Sequence, residues 1–236
     1  MKKLLLVDSK ADDGTIEKQT LVSDDIMADM MQPDSVSAGF YNFLIGGFLI
    51  YGFLINLAEC FVLSAIHLPK LPAFLGLLVY ILCALVGSFF VREKAGTLSV
   101  FIGYHFFVVP VGVSVWLATS GRYMGDILEA AGLTTAITFM MLLASSLFPK
   151  FFAGLGRFLL VSLFSFVICE LVSVFVFGYF SNIFNLIAVF LFSLYIGYDW
   201  YMGTVRRKCV ANALRTALEL YLDIINIFLA LLRSKR

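Results

Sequence analysis

Seven apolar runs, each close to the roughly 20 residues an α-helix needs to cross a membrane, dominate this chain. The first is Phe40 to Leu63, ended by the turn His67-Leu68-Pro69-Lys70-Leu71-Pro72; the second is Ala73 to Val91, stopped by Arg92-Glu93-Lys94. The third is Thr97 to Thr119, with Pro110 inside it as an expected kink. The fourth runs from Ile127 to Phe148, between Asp126 and Pro149-Lys150. A nearly uncharged stretch from Phe158 to Met202 is too long for one span, and a break near Gly178 to Asn182 divides it into helices over 158–179 and 182–203. Arg206-Arg207-Lys208 ends the sixth helix. Val210 to Leu232 forms the seventh and the least lipid-like.

The chain therefore reads as an all-α, polytopic membrane protein. Hydrophobic residues are 61% of 236 positions and charged ones 14%, whereas a soluble domain carries about a quarter charged residues. A net charge of +1 gives no footprint for nucleic acid. Cys60, Cys83, Cys169 and Cys209 lie far apart, mostly inside apolar runs, and no pair has metal-ligand spacing. The opening Met-Lys-Lys-Leu-Leu-Leu-Val imitates a signal peptide, but Asp8 cuts its apolar stretch short. Residues 1–37 hold eight acidic residues and four lysines, and read as a soluble acidic tail ahead of a membrane domain over 38–236.

Loop charges orient the bundle. With the tail in the cytoplasm, cytoplasmic loops hold Arg92, Lys94, Lys150, Arg157, Arg206, Arg207, Lys208 and Arg215. The opposite side shows Lys70 and Arg122, together with Arg233, Lys235 and Arg236 if the last helix crosses. The asymmetry places the N-terminus inside. The compact loops point to a bacterial cytoplasmic membrane, with the endoplasmic reticulum as the alternative. No inverted repeat is visible.

An ionisable group at membrane depth costs about 2.5–3.5 kcal/mol, so each one needs a reason. Asn212, Arg215, Glu219, Asp223 and Asn226 recur at spacings of 3, 4, 4 and 3, which puts all five on one face of the last helix. Such a stripe faces a protein interior or a watery path; the bland alternative is an amphipathic helix lying on the membrane surface. Asp199 stands near the inner end of the sixth helix, on an antiparallel neighbour of the helix carrying Asp223. Two carboxylates meeting in a low-dielectric core cannot both ionise freely, so they share a proton whose loss adds repulsion. Carboxylate oxygens are also the ligands calcium prefers. Glu170 lies mid-way along the fifth helix, where a protonated carboxyl hydrogen-bonded in the bundle is the plainer reading. Glu59 (with Asn56 one turn away), Asp126 and Glu129 reach the outer interface or line ion access. His105, alone on an apolar helix, reads as a satisfied buried polar group rather than a proton relay.

Phe192-Ser193-Leu194-Tyr195-Ile196-Gly197-Tyr198-Asp199, followed by Ala217-Leu218-Glu219-Leu220-Tyr221-Leu222-Asp223-Ile224-Ile225-Asn226-Ile227-Phe228, resembles the transmembrane Bax inhibitor motif family. Leu128 to Thr134 and the Arg92 to Gly96 turn are similar to that family's patterns as well. The resemblance implies six helices around a central seventh. It also implies a pH-sensitive calcium leak with Asp199 and Asp223 as sensor, gate and calcium ligands. Under the same resemblance Arg92 or Arg215 is the latch, and Glu219, Asn226, Glu170, Glu59 and Glu129 are candidates for the ion path. Tyr80 stands at the family's acidic position in the second helix and Val91 at its basic one, both departures.

No cofactor is called for; the implied companions are the lipid bilayer, calcium and protons, with no protein partner specified and no catalytic residue assigned. Two other classes compete. A membrane-embedded regulator of the cell-death or stress type would act through partner proteins and the tail. An intramembrane aspartyl protease also pairs a Tyr-Asp with a second aspartate, but Leu220-Tyr221-Leu222-Asp223 lacks the glycines such enzymes need.

Overall fold

The computed structural model describes residues 34–66, 73–177 and 182–235. Most of the acidic tail, the turn at 67–72 with Lys70, the break at 178–181 and Arg236 lie outside the described residues. Among the described residues the chain forms eight helices and no strand: α1 (Ala38–Ile66), α2 (Ala73–Phe90), α3 (Thr97–Thr119), α4 (Met124–Leu147), α5 (Pro149–Ala153), α6 (Gly156–Phe177), α7 (Asn182–Val205) and α8 (Val210–Ser234). The apolar runs set these limits because charged and turn residues interrupt them. α3 coincides with its run from Thr97 to Thr119 and continues through Pro110 as one helix.

The short α5 is an addition to the seven expected helices. Pro149 opens it, at a position where an amide hydrogen has no intrahelical partner anyway. Phe152, 2% exposed, lies against α7 at Gly197, where a β-carbon would overlap the ring. The Ser145 hydroxyl of α4 donates to the Gly197 carbonyl at 2.5 Å. Bare backbone at Gly197 thus lets α4, α5 and α7 close on one point, as small residues do where helices meet in lipid.

Large apolar side chains point outward: Phe43 is 72% exposed, Phe61 71%, Leu98 73% and Leu147 72%. Water does not tolerate so continuous an apolar surface, and lipid does. Among the described residues five helices, α1, α3, α4, α6 and α7, are long and apolar enough to cross a membrane; Val79–Phe90 of α2 is a shorter apolar helix.

α8 is different. Along it Ala213, Leu214, Thr216, Ala217, Leu220, Tyr221, Ile227, Ala230 and Leu232 are 0–1% exposed. One cluster joins Leu214, Leu218, Tyr221 and Ile225 to Val100, Tyr104, Val108 and Val111 of α3. Another joins Ala213, Ala217, Leu220 and Ile227 to Tyr41 and Ile45 of α1 and Ile196 of α7. α8 packs along its length on α7, α1, α3 and α4. This is an interior helix, which sets aside the surface-lying alternative. Its ends are fixed too. Arg215 bonds the α2–α3 connection, whereas Arg233 and Lys235 reach Glu170 of α6 and Glu129 of α4. The α2–α3 and α3–α4 connections lie at opposite ends of α3, so α8 traverses the bundle's whole depth.

Candidate functional site

The connection between α7 and α8 is four residues long, Arg206 to Cys209, which makes the two helices antiparallel neighbours. Asp199 on α7 is 9% exposed and Asp223 on α8 is 5%. The fold sets their carboxyls close enough to act on each other electrostatically. Among the described residues the buried Asp223 Oδ2 has no hydrogen-bond partner. Carboxylate oxygens only accept, so two of them can share a hydrogen bond only when a proton lies between. Tyr195, one turn before Asp199, is close enough to act electrostatically on both carboxyls.

Toward the α7–α8 connection the neighbouring polar group is an ion pair. Arg206 holds Glu219 with two hydrogen bonds, one of them from Nη2 to Oε1 at 2.8 Å. Its Nη1 also donates to Thr216 Oγ1 at 3.2 Å, and Thr216 Oγ1 lies 3.3 Å from the buried Tyr41 hydroxyl. Burial opposes the Arg206 charge, but the Glu219 carboxylate more than offsets it, and the guanidinium pKa is raised. The charge acts on Asp199 as well. Lys208 Nζ donates to the Gly203 carbonyl at 3.0 Å, satisfying the end of α7, and lies 4.7 Å over the Tyr41 ring. The Val36 amide donates to the Lys208 carbonyl at 2.9 Å, tying the start of the described chain to this connection.

In the sequence Arg206 reads only as loop charge. A signal was present: it follows Asp199 by seven residues, two helical turns, on the same face. The two latch candidates lie elsewhere. Arg92 stacks on Phe89, 4.1 Å from the ring centroid. Arg215 donates to the carbonyls of Val91 (3.1 Å), Arg92 (2.5 Å) and Ala95 (2.9 Å) and to Asn212 Oδ1 (2.6 Å). It anchors the α2–α3 connection and is held away from the aspartates.

The ion-path candidates are dispersed. Glu219 belongs to the Arg206 pair; Asn226 is half-buried on α8, almost one turn past Asp223. Glu170 lies 3.6 Å from Arg233, and Glu129 is bound by Lys235. Glu59 joins Asn56 at 3.4 Å, on a different side of α8. His105 is satisfied at both nitrogens, by the Phe101 carbonyl at 2.8 Å and the Tyr51 hydroxyl at 2.9 Å. Among the described residues no three His, Cys, Asp or Glu side chains gather into a metal-holding group.

Lipid-facing apolar helices packed around a helix that hides charged groups define an integral membrane protein. Residues 34–234 match the family described as inhibitor of apoptosis-promoting Bax1, and the chain belongs to that family. It is similar to two proteins of Helicobacter pylori, from strains ATCC 700392 / 26695 and J99 / ATCC 700824, each described as an uncharacterized protein. Both are 28% identical, over 162 and 160 residues, covering 64% of this chain. The match spans 66% of each relative's own length, just under two thirds.

Proposed function

We propose that this protein is a calcium leak channel whose conductance depends on the protonation of Asp199 and Asp223. The observation that carries the reading is the juxtaposition: two buried carboxyls, on two antiparallel helices, lie close enough to act on each other. Gaining or losing the proton they share changes the force between α7 and α8, and so the width of any gap between them. Two carboxyls offer at most four oxygens, whereas calcium takes about six to eight. The site therefore suits an ion in transit that keeps part of its water, not a resident metal.

In this reading all seven long helices cross the membrane, six of them around α8. The path follows α8 from Glu129, Glu170 and Asn226, past the aspartates, to Glu219. Arg206 closes the end nearest the α7–α8 connection. That end carries the basic clusters of the α2–α3, α4–α6 and α7–α8 connections and faces the cytoplasm, with the chain's N-terminus, in a bacterial inner membrane. No catalytic role is assigned.

Purified protein in liposomes with an enclosed calcium dye tests this. Calcium influx should change between about pH 6 and 8, and Asp223→Asn should flatten that change. Influx that is the same across this range, or a pH response that survives Asp223→Asn, would sink the mechanism.

A further inference from the structure

Away from Asp223, on another side of α8, lies a second, partly buried polar cluster. Tyr221 stands two positions before Asp223, which sets the two side chains about 200° apart around the helix. The Tyr221 side chain is wholly buried, and its hydroxyl donates to Asn56 Oδ1 of α1 at 2.5 Å. Asn56, 4% exposed, donates from Nδ2 to the Val108 carbonyl of α3 at 3.1 Å and to Glu59 Oε2 at 3.4 Å. A carbonyl can only accept, so Val108 fixes the amide's orientation and leaves Oδ1 for the tyrosine.

Glu59 has its own berth. Its carboxyl lies over Gly112 of α3, and a β-carbon there would overlap the carboxyl oxygen and crowd Asn56 Nδ2. The bare glycine makes room for a polar group between α1 and α3. Among the described residues the titratable side chains facing this cluster are Cys60 from α1, Tyr80 from α2, Tyr104 from α3 and Tyr221 from α8, all uncharged acids at neutral pH. His105 stands beside Tyr104, but both its nitrogens are already engaged.

A carboxylate half-buried between two apolar helices, held by one amide with no cation bound to it among the described residues, is costly; a carboxylic acid in the same place is far less so. We propose that Glu59 is a second proton-binding site, separate from Asp199 and Asp223, and that Asn56 and Tyr221 pass its protonation state to α8. An ionised Glu59 draws the Asn56 amide hydrogen toward itself. A protonated one is a weaker acceptor, and the change alters the amide oxygen on which the Tyr221 hydroxyl rests. α8 then carries a proton-dependent contact on each of two sides. The site stands whether or not calcium passes through the protein.

Infrared spectra of the purified full-length protein in lipid vesicles, titrated from about pH 5 to about pH 9, follow protonated carboxyls directly and need no flux. Glu59→Gln, nearly isosteric, should remove one titrating carboxyl stretch that persists in an Asp199→Asn/Asp223→Asn double variant. Tyr221→Phe should keep that stretch and shift its midpoint by roughly half to one pH unit, the equivalent of one hydrogen bond. If Glu59→Gln retains every titrating carboxyl of the parent protein, Glu59 is no proton site. If Tyr221→Phe leaves the midpoint in place, the coupling to α8 is wrong. A failed calcium assay would leave both outcomes untouched, so the two readings fall separately.

Discussion

Replacing Glu219 by Gln removes the charge that holds Arg206 and leaves the shape of the side chain intact. Hydrogen bonds to charged groups contribute about 1.5–3 kcal/mol when well buried. The Arg206 and Glu219 side chains remain 25% and 34% exposed, so solvent screens part of this. A discounted loss of about 1–1.4 kcal/mol is the reasonable figure, provided the clasp exists only while the α7–α8 end is closed. It corresponds to a roughly five- to tenfold rise in the open-to-closed ratio. Calcium influx into dye-loaded liposomes, at one pH and one protein-to-lipid ratio, should rise by that factor in Glu219→Gln. Arg206→Gln should do the same. The double variant should be no leakier than either single one, because both act through one contact. The reasoning is refuted if the folded Glu219→Gln protein leaks within twofold of the parent, or if the two substitutions multiply.

Two further expectations concern the bundle itself. Gly197→Ala should lower stability by about 1–3 kcal/mol, read as a fall in thermal midpoint in detergent, because its new methyl group meets the Phe152 ring; Phe152→Leu in the same protein should restore part of the loss. Arg215→Gln strips donors from the Val91, Arg92 and Ala95 carbonyls and should cost about 1–3 kcal/mol. It should leave the pH response of calcium influx unchanged, whereas a latch residue would alter it.

The helix limits were legible because charge and proline punctuate the apolar runs, and α3 matches its run at both ends. The interior position of α8 was legible too, since five polar groups at helical spacing cannot face lipid. What the spacing could not convey was how those groups are shared out. Arg215 has a side chain long enough to reach the α2–α3 connection, whereas the short Asp223 is set against Asp199 of α7. One stripe therefore serves several neighbours, and length and register decide which. α5 was invisible because five residues hold too little period to register. Arg206 was hidden among three consecutive basic residues, a pattern that speaks to topology before it speaks to pairing. Tyr221 lies off the polar stripe, and an isolated Tyr in an apolar helix reads as packing until its hydroxyl is seen on Asn56.

Inside a membrane the hydrophobic effect does little to bring one helix against another, so α8 is held by close packing and by polar contacts. At one end those contacts are complete in themselves: Arg215 has its carbonyls and Arg206 its carboxylate. At the other end Arg233 and Lys235 have Glu170 and Glu129. The middle is unlike either end. There Asp199 faces Asp223, acceptor against acceptor, and Glu59 rests on a single amide. Among the described residues neither contact has a cation hydrogen-bonded to it, and in the proposed readings a proton from outside the chain completes each. On these readings a helix fixed at both ends takes up protons between them, so protonation should alter the middle of α8 while its ends stay anchored.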